Sequence, residues 1–202
     1  MSKNNSRNLG YLLGICLLVP AILLSSGCSL FSTKTPIDKN DQTLSVVYGY
    51  FDMEDAPSWG GIDWVSIKQY KPEVAYYSCG VEEGLFFHIG VDKSASIQVE
   101  EFGRNTRWYS NATYTYNFGG KGRNETARVI KKPGVHFLGS YKFKNIDSGS
   151  MFRQDSFDMV PAVAPSEKEL LTKLLVIMQE DSDLAVYNHQ IAMIEKRLRE
   201  LK

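Results

Sequence analysis

Few side chains in this sequence have the types and spacing that catalysis needs. The three histidines, His88, His136 and His189, form no H-x-x-x-H pair or other metal-ligand spacing. His88 stands in an apolar stretch and reads as a partly exposed strand residue. No serine sits in a G-x-S-x-G elbow, and Ser148-Gly149-Ser150 reads as a turn. Gly119-Gly120-Lys121-Gly122 sets a lysine among glycines without P-loop spacing, so it reads as a hairpin turn. Asp52, Glu54 and Asp55 lack the alternate spacing and central glycine of a calcium loop. Nothing pairs two carboxylates across a glycosidic bond. The expectation is a non-enzymatic protein with no metal and no cofactor.

The cysteines are more informative. Cys28 closes an amino-terminal segment with three parts. Lys3 and Arg7 come first, with no acid before Leu9. An apolar run of 16 residues follows, Leu9 to Leu24, interrupted by Pro20. That is short for a membrane span, which needs about 20 residues. The small-residue end is Leu24-Ser25-Ser26-Gly27-Cys28. A charged start, short apolar middle and small-residue end make a secretory signal. The end resembles the lipobox of bacterial lipoproteins. The resemblance implies cleavage after Gly27, a diacylglyceryl group on the Cys28 sulfur, and acylation of the new amine. The first partner is then the lipid bilayer, held through acylated Cys28. One acyl chain binds marginally and two or three bind stably. Ser29, where Asp would retain such a protein in the inner membrane of a Gram-negative cell, implies the outer membrane. Without residues 1–27 the chain has 175 residues, with 21 basic against 23 acidic side chains. Cys79 is then left alone, so no intramolecular disulfide is expected, and it reads as a buried small hydrophobe.

Residues 28–42 read as a flexible lipidated tether, with a root-mean-square span of about 20 Å for its 14 residues after Cys28. The whole chain is 43% apolar, 12% aromatic and 23% charged, with no net charge. Those are globular values, and the lack of a basic excess argues against a nucleic-acid partner. From 43 to 160 the period is near two. Leu44–Phe51, Ile62–Tyr70, Leu85–Val91, Ser96–Phe102, Thr113–Phe118, Thr126–Lys132 and Val135–Asn145 predict strands, and Met151–Val160 predicts one more. The fold class expected is mainly β with an α tail: an antiparallel β-sandwich of 7–8 strands. Ile89-Gly90-Val91-Asp92, with the later Pro133-Gly134-Val135-His136-Phe137, weakly resembles carboxypeptidase-regulatory-like or PEGA-like modules. That resemblance implies a β-sandwich with a stalk-like or binding role, and brings no catalytic residues.

From 161 to 202 the period changes to that of a helical hairpin. Ser166 and Glu169 make a capping box. Leu170, Leu171, Leu174, Leu175 and Met178 form one stripe. Asp181-Ser182-Asp183 offers a second cap. Leu184, Tyr187, Ile191, Ile194, Leu198 and Leu201 form a second stripe, which a short helix cannot leave uncovered in water. The cover is the first helix, the outside of the sandwich, or an envelope protein docked on these helices.

Two surfaces suggest binding. Trp59, Trp108 and Tyr109 suit stacking on sugar rings, which makes a carbohydrate-binding module the alternative function, while Trp64, inside a strand, reads as core. The charge is also uneven. Leu44–Glu101 holds ten acids against three bases, and Arg104–Lys144 holds nine bases against one acid. Arg104, Arg107, Lys121, Arg123, Arg128, Lys131 and Lys132 are therefore candidates for contact with an anionic surface.

Overall fold

Two kinds of strand sequence build two kinds of sheet. The computed structural model describes residues 38–39, 41–56, 61–106, 112–118, 123–146 and 156–201. In β1 (Ser45–Asp52) and β5 (Leu85–Val91) nearly every residue is buried. Val47, Phe51, Phe86 and Val91 belong to one core, and Val46, Tyr48, Leu85, Phe87 and Ile89 to another. Such near-continuous apolar runs mark strands covered on both faces. β2 (Trp64–Lys71) instead alternates: Val65, Ile67 and Gln69 are buried, and Trp64, Ser66 and Lys68 are not. That pattern marks a sheet with one open face.

The first sheet combines β1 and β5 with β4 (Gly80–Glu82), β9 (Val135–Ile146) and β10 (Ser156–Pro161), in the order β10-β9-β1-β5-β4. The second contains β2, β3 (Ala75–Ser78), β6 (Ser96–Thr106) and β7 (Ala112–Asn117) in the order β3-β2-β6-β7, and β8 (Arg128–Val129) also pairs with β6. Between them lies a core rich in rings. Phe51 sits 4.7 Å from Phe86 and 4.6 Å from Phe102 between centroids, and Tyr116, Phe143 and Phe157 extend the cluster.

The sandwich departs from expectation in three ways. The described residues hold ten strands, because β3 and β4 are too short to show a period on either side of Cys79. The sheets are not wholly antiparallel, since β1 and β9 run parallel with Tyr48 opposite Phe137. A bulge interrupts that pair where Gly139 takes a φ of +122°, a conformation L side chains rarely adopt. Finally, the strand expected over Thr126–Lys132 shrinks to β8. Side chains replace its ladder, because Thr126 Oγ1 accepts from the Val99 N–H at 2.8 Å and Asn124 Nδ2 donates to the Val99 carbonyl at 2.7 Å.

The helices α1 (Glu167–Glu180) and α2 (Asn188–Glu200) lie on the outer face of the first sheet. The capping box forms as expected: the Glu169 N–H donates to Ser166 Oγ, and the Ser166 N–H donates to Glu169 Oε2 at 2.7 Å. The second cap does not form. Asp181 closes α1 instead, and α2 starts at Asn188 with no side-chain cap. Leu170, Leu171, Leu174, Met178 and Ile194 are buried against Val46, Tyr48, Leu85, Phe87 and Ile89. The rest of the second stripe packs on the same cluster, half-buried. Its cover is therefore the first helix together with the sheet. No helix among the described residues is long and apolar enough to cross a membrane.

Polar bonds fix this layer in register. Glu167 Oε1 accepts from Arg197 Nε at 3.0 Å and Nη2 at 2.9 Å, and from the Tyr48 hydroxyl at 3.3 Å. One carboxylate thus joins α1, α2 and β1. Gln190, fully buried in α2, donates to the Asp41 carbonyl at 3.1 Å. The last residues of the expected tether are therefore already fastened to the fold. Ile194→Ala should cost about 2–5 kcal/mol of global stability, as large-to-small core changes do, and the half-buried Ile191→Ala should cost less. Denaturant midpoints of the two variants check this; equal, negligible losses would mean the hairpin does not share the domain's unfolding.

Candidate functional site

With helices over one sheet, no helix among the described residues covers the outer face of the other. β2, β3 and β6 carry onto it the residues that alternate outward from the core. Trp64 is among them, which corrects its expected place in the core. Val65 and Ile67 take the inward positions, and the Trp64 ring instead covers Gly103, where a β-carbon would come within 2.6 Å of Cζ2. Tyr70 and Tyr76 stand 38% and 49% exposed on the same face.

A connected polar group lies between the rings. Lys68 Nζ bonds Glu100 Oε1 at 2.9 Å, and lies 5.0 Å from the centroid of Tyr70 and 5.4 Å from that of Tyr76. The Tyr70 hydroxyl donates to Glu100 Oε2 at 3.0 Å and accepts from Gln98 Nε2 at 2.8 Å. Gln98 Oε1 in turn accepts the Asn124 N–H at 3.3 Å. The bond to Glu100 raises the Lys68 ammonium above the usual lysine range. Burial works against the Glu100 carboxylate, but the bonds from Lys68 and Tyr70 outweigh it and hold its pKa below the usual range. Both groups stay charged near neutrality. The arrangement is a rigid platform of two rings with a cation, a carboxylate and an amide between them, suited to binding a polar ligand by stacking and hydrogen bonds.

The structure describes some of the expected site residues. Gly27, Cys28, Trp59, Arg107, Trp108, Tyr109 and Lys121 lie outside the described residues. Arg104 is half-buried in β6 beside Gly61. Arg123 is exposed beside the platform, in a groove it shares with Tyr70 and Gln98. Arg128 directs its guanidinium into the fold, donating to the carbonyls of Glu125, Ala127, Phe137 and Leu138. Anionic contact through Arg128 would therefore have to break bonds that hold β8 to β9. Lys131 and Lys132 stay exposed in the turn between those strands. Some of the charge neutralises locally, where Lys142 meets Asp52, Glu54 and Asp55 within 4.0 Å.

Cys79 is buried as expected, and desolvation drives its thiol well above the usual range, which disfavours a reactive thiolate. His88 Nδ1 lies 3.0 Å from the Ser78 carbonyl, and its ring packs 4.7 Å from Tyr77. Among the described residues no cluster of His, Cys, Asp or Glu is arranged to hold a metal ion. Sequence reasoning missed Lys68, Tyr70, Tyr76 and Glu100. For Lys68 and Tyr70 the signal was the polar–apolar alternation of Trp64–Lys71, read only as a strand. Compared with known proteins, the chain finds no counterpart: no family model, curated protein or solved structure matches it.

The Lys68–Glu100 pair gives the face a defined pH response. A lowered carboxylate contributes stability above its ordinary pKa and loses it as pH falls through the lowered value. A raised ammonium contributes below its ordinary pKa and loses it as pH rises through the raised value. Glu100→Gln should therefore cost about 1 kcal/mol or less near neutral pH, and the difference from wild type should shrink on acidification through the carboxylate range. Thermal melts across pH test it; a difference that grows in acid would contradict the pairing.

Proposed function

We propose that the chain is a lipid-anchored protein of a bacterial envelope, held by acylated Cys28, most simply in the outer membrane, and that it binds another envelope component without catalysing a reaction. The observation that carries this reading is the run Leu24-Ser25-Ser26-Gly27-Cys28 closing a short apolar segment. The link from Cys28 to the fixed Asp41 is short enough to keep the domain near the bilayer. Support for binding over catalysis comes from the platform. Its carboxylate is ionised and engaged by two donors, leaving no base poised for proton transfer. The partner surface on this reading is the open sheet face, since the apolar stripes of the helices are spent on the other sheet.

A second reading, binding of a carbohydrate, is favoured by one observation: Tyr70, Tyr76 and Trp64 share that open face with Lys68, Gln98 and Glu100. Flat rings beside a carboxylate and an amide suit a pyranose. On a glycan array this reading expects saturable binding that Tyr70→Ala and Tyr76→Ala abolish. Loss instead on Trp59→Ala or Trp108→Ala would move the site to those residues.

Anchorage is tested by mass spectrometry of the native protein. The expected species begins at Cys28 carrying a diacylglyceryl thioether, and Cys28→Ala should accumulate with residues 1–27 attached. A membrane-bound native chain retaining Met1–Gly27 with unmodified Cys28 would refute it.

A further inference from the structure

The platform runs into a groove of about 560 Å³ whose lining is mostly apolar. Tyr70 of β2 forms one wall, and Ala127 and Val129 form the other. Val129, at 46% exposure, and Tyr70 leave apolar surface facing solvent. Gln98 lies between the walls, bonded at both ends of its amide, so this part of the groove is already ordered before any ligand arrives.

The charges are one-sided. Arg123 and Lys71 line the groove, are exposed, and their side chains make no ion pair or hydrogen bond among the described residues. No carboxylate lines it there. Other clefts differ in this respect. The one between α2 and the start of β9 holds Glu167 and Glu200 beside Arg128, Lys132, Lys196 and Arg197, and both carboxylates answer Arg197, at 2.9 and 3.6 Å. The cleft at the far end of β1 is lined by Asp52, Glu54 and Glu83.

Position adds a third observation. Lys71 and Val129 both pair with Ser96, the first residue of β6. A short turn joins that residue to Val91, which pairs with Ser45 at the start of β1. The groove therefore opens at the end of the sandwich where the chain enters from Asp41.

The geometry points to this groove as a binding site for an anionic amphiphile, a lipid whose phosphate head meets Arg123 and Lys71 and whose acyl chain lies along Tyr70, Ala127 and Val129. Unpaired cations beside an apolar trough match a molecule with those two halves, and neither a sugar nor inorganic phosphate would use both. That the lipid comes from the bilayer rests on the anchored reading, which places this end nearest the membrane. The binding itself does not depend on it.

Native mass spectrometry of the full chain, released from a neutral detergent, tests the site. The probes are lysophosphatidylglycerol, lysophosphatidylcholine, dodecanoate and inorganic phosphate. The expected result is retention of lysophosphatidylglycerol over its zwitterionic counterpart. Arg123→Glu with Lys71→Glu should lower that affinity at least about tenfold, as loss of a charge-assisted hydrogen bond does. Val129→Asp, which keeps both cations, should weaken it independently, and unchanged melting temperatures would show that each variant is folded. Equal retention of both lysolipids, displacement by inorganic phosphate at equal affinity, or no effect of either variant would overturn the site. Dodecanoate binding as tightly as lysophosphatidylglycerol would overturn the phosphate-headed lipid in favour of a free fatty acid. Anchorage is read separately, by flotation of the chain with membranes: a chain that floats yet fails to bind lysophosphatidylglycerol retains the anchor and loses the groove.

Discussion

Burial of one sheet face beneath the two helices is the constraint on which the rest of the structure depends. Leu171, Leu174, Met178 and Ile194 lie fully buried over Val46, Tyr48 and Leu85. Each such side chain contributes about 1.5–3 kcal/mol on leaving water, so neither partner in this contact is stable bare. The first sheet has a second apolar face that needs a cover, and helices this short need a sheet to rest on. The Glu167 carboxylate, bound by Arg197 and the Tyr48 hydroxyl, sets the angle at which they meet. Leaving either donor unanswered would cost more than the bond contributes.

From that one contact the functional geometry follows. The helices occupy the first sheet, so the second sheet presents its outer face to solvent. Its strands can therefore carry Lys68, Tyr70, Tyr76 and Glu100 outward while Val65, Ile67, Val99 and Phe102 fill the core. The rings and charges on that face hold one another, which makes the surface rigid without a ligand. The irregular segment over 123–129 matters for the same reason. Asn124 and Thr126 satisfy the backbone of Val99 with side chains where a strand would have done so. Beside β6 this leaves room for a groove instead of another ladder.

Much of this was legible in the sequence. The capping box at Ser166 and Glu169, the two helical stripes and most strands could be read from period and turn chemistry, because each is a local signal. Ala75–Ser78 and Gly80–Glu82 were not legible, since four and three residues give too few repeats to show a period. The parallel pairing of β1 with β9 joins residues about ninety positions apart, and no local pattern reports it. The most telling signal was present and unread. The near-continuous apolar runs of Leu44–Phe51 and Leu85–Val91 belong to strands covered on both faces, and the alternation of Trp64–Lys71 belongs to a strand covered on one. That contrast names the sheet that takes the helices and the sheet that stays open. It also explains why Trp64 is not in the core. Of the expected site, Arg123 lies exposed beside Tyr70 and Gln98, whereas Arg128 is turned inward by its own carbonyl partners, which no linear reading of charge could show.

The central claim, that helices and first sheet form one cooperative unit and thereby leave the second sheet's face free, is tested most directly by hydrogen exchange on the whole protein, resolved to peptides by mass spectrometry. The account predicts that amides of Leu170–Met178 and Ile191–Leu198 open with the same free energy as those of Val46–Phe51 and Leu85–Val91. Helices that exchange as fast as unprotected peptide, over a β1 that stays fully protected, would contradict it.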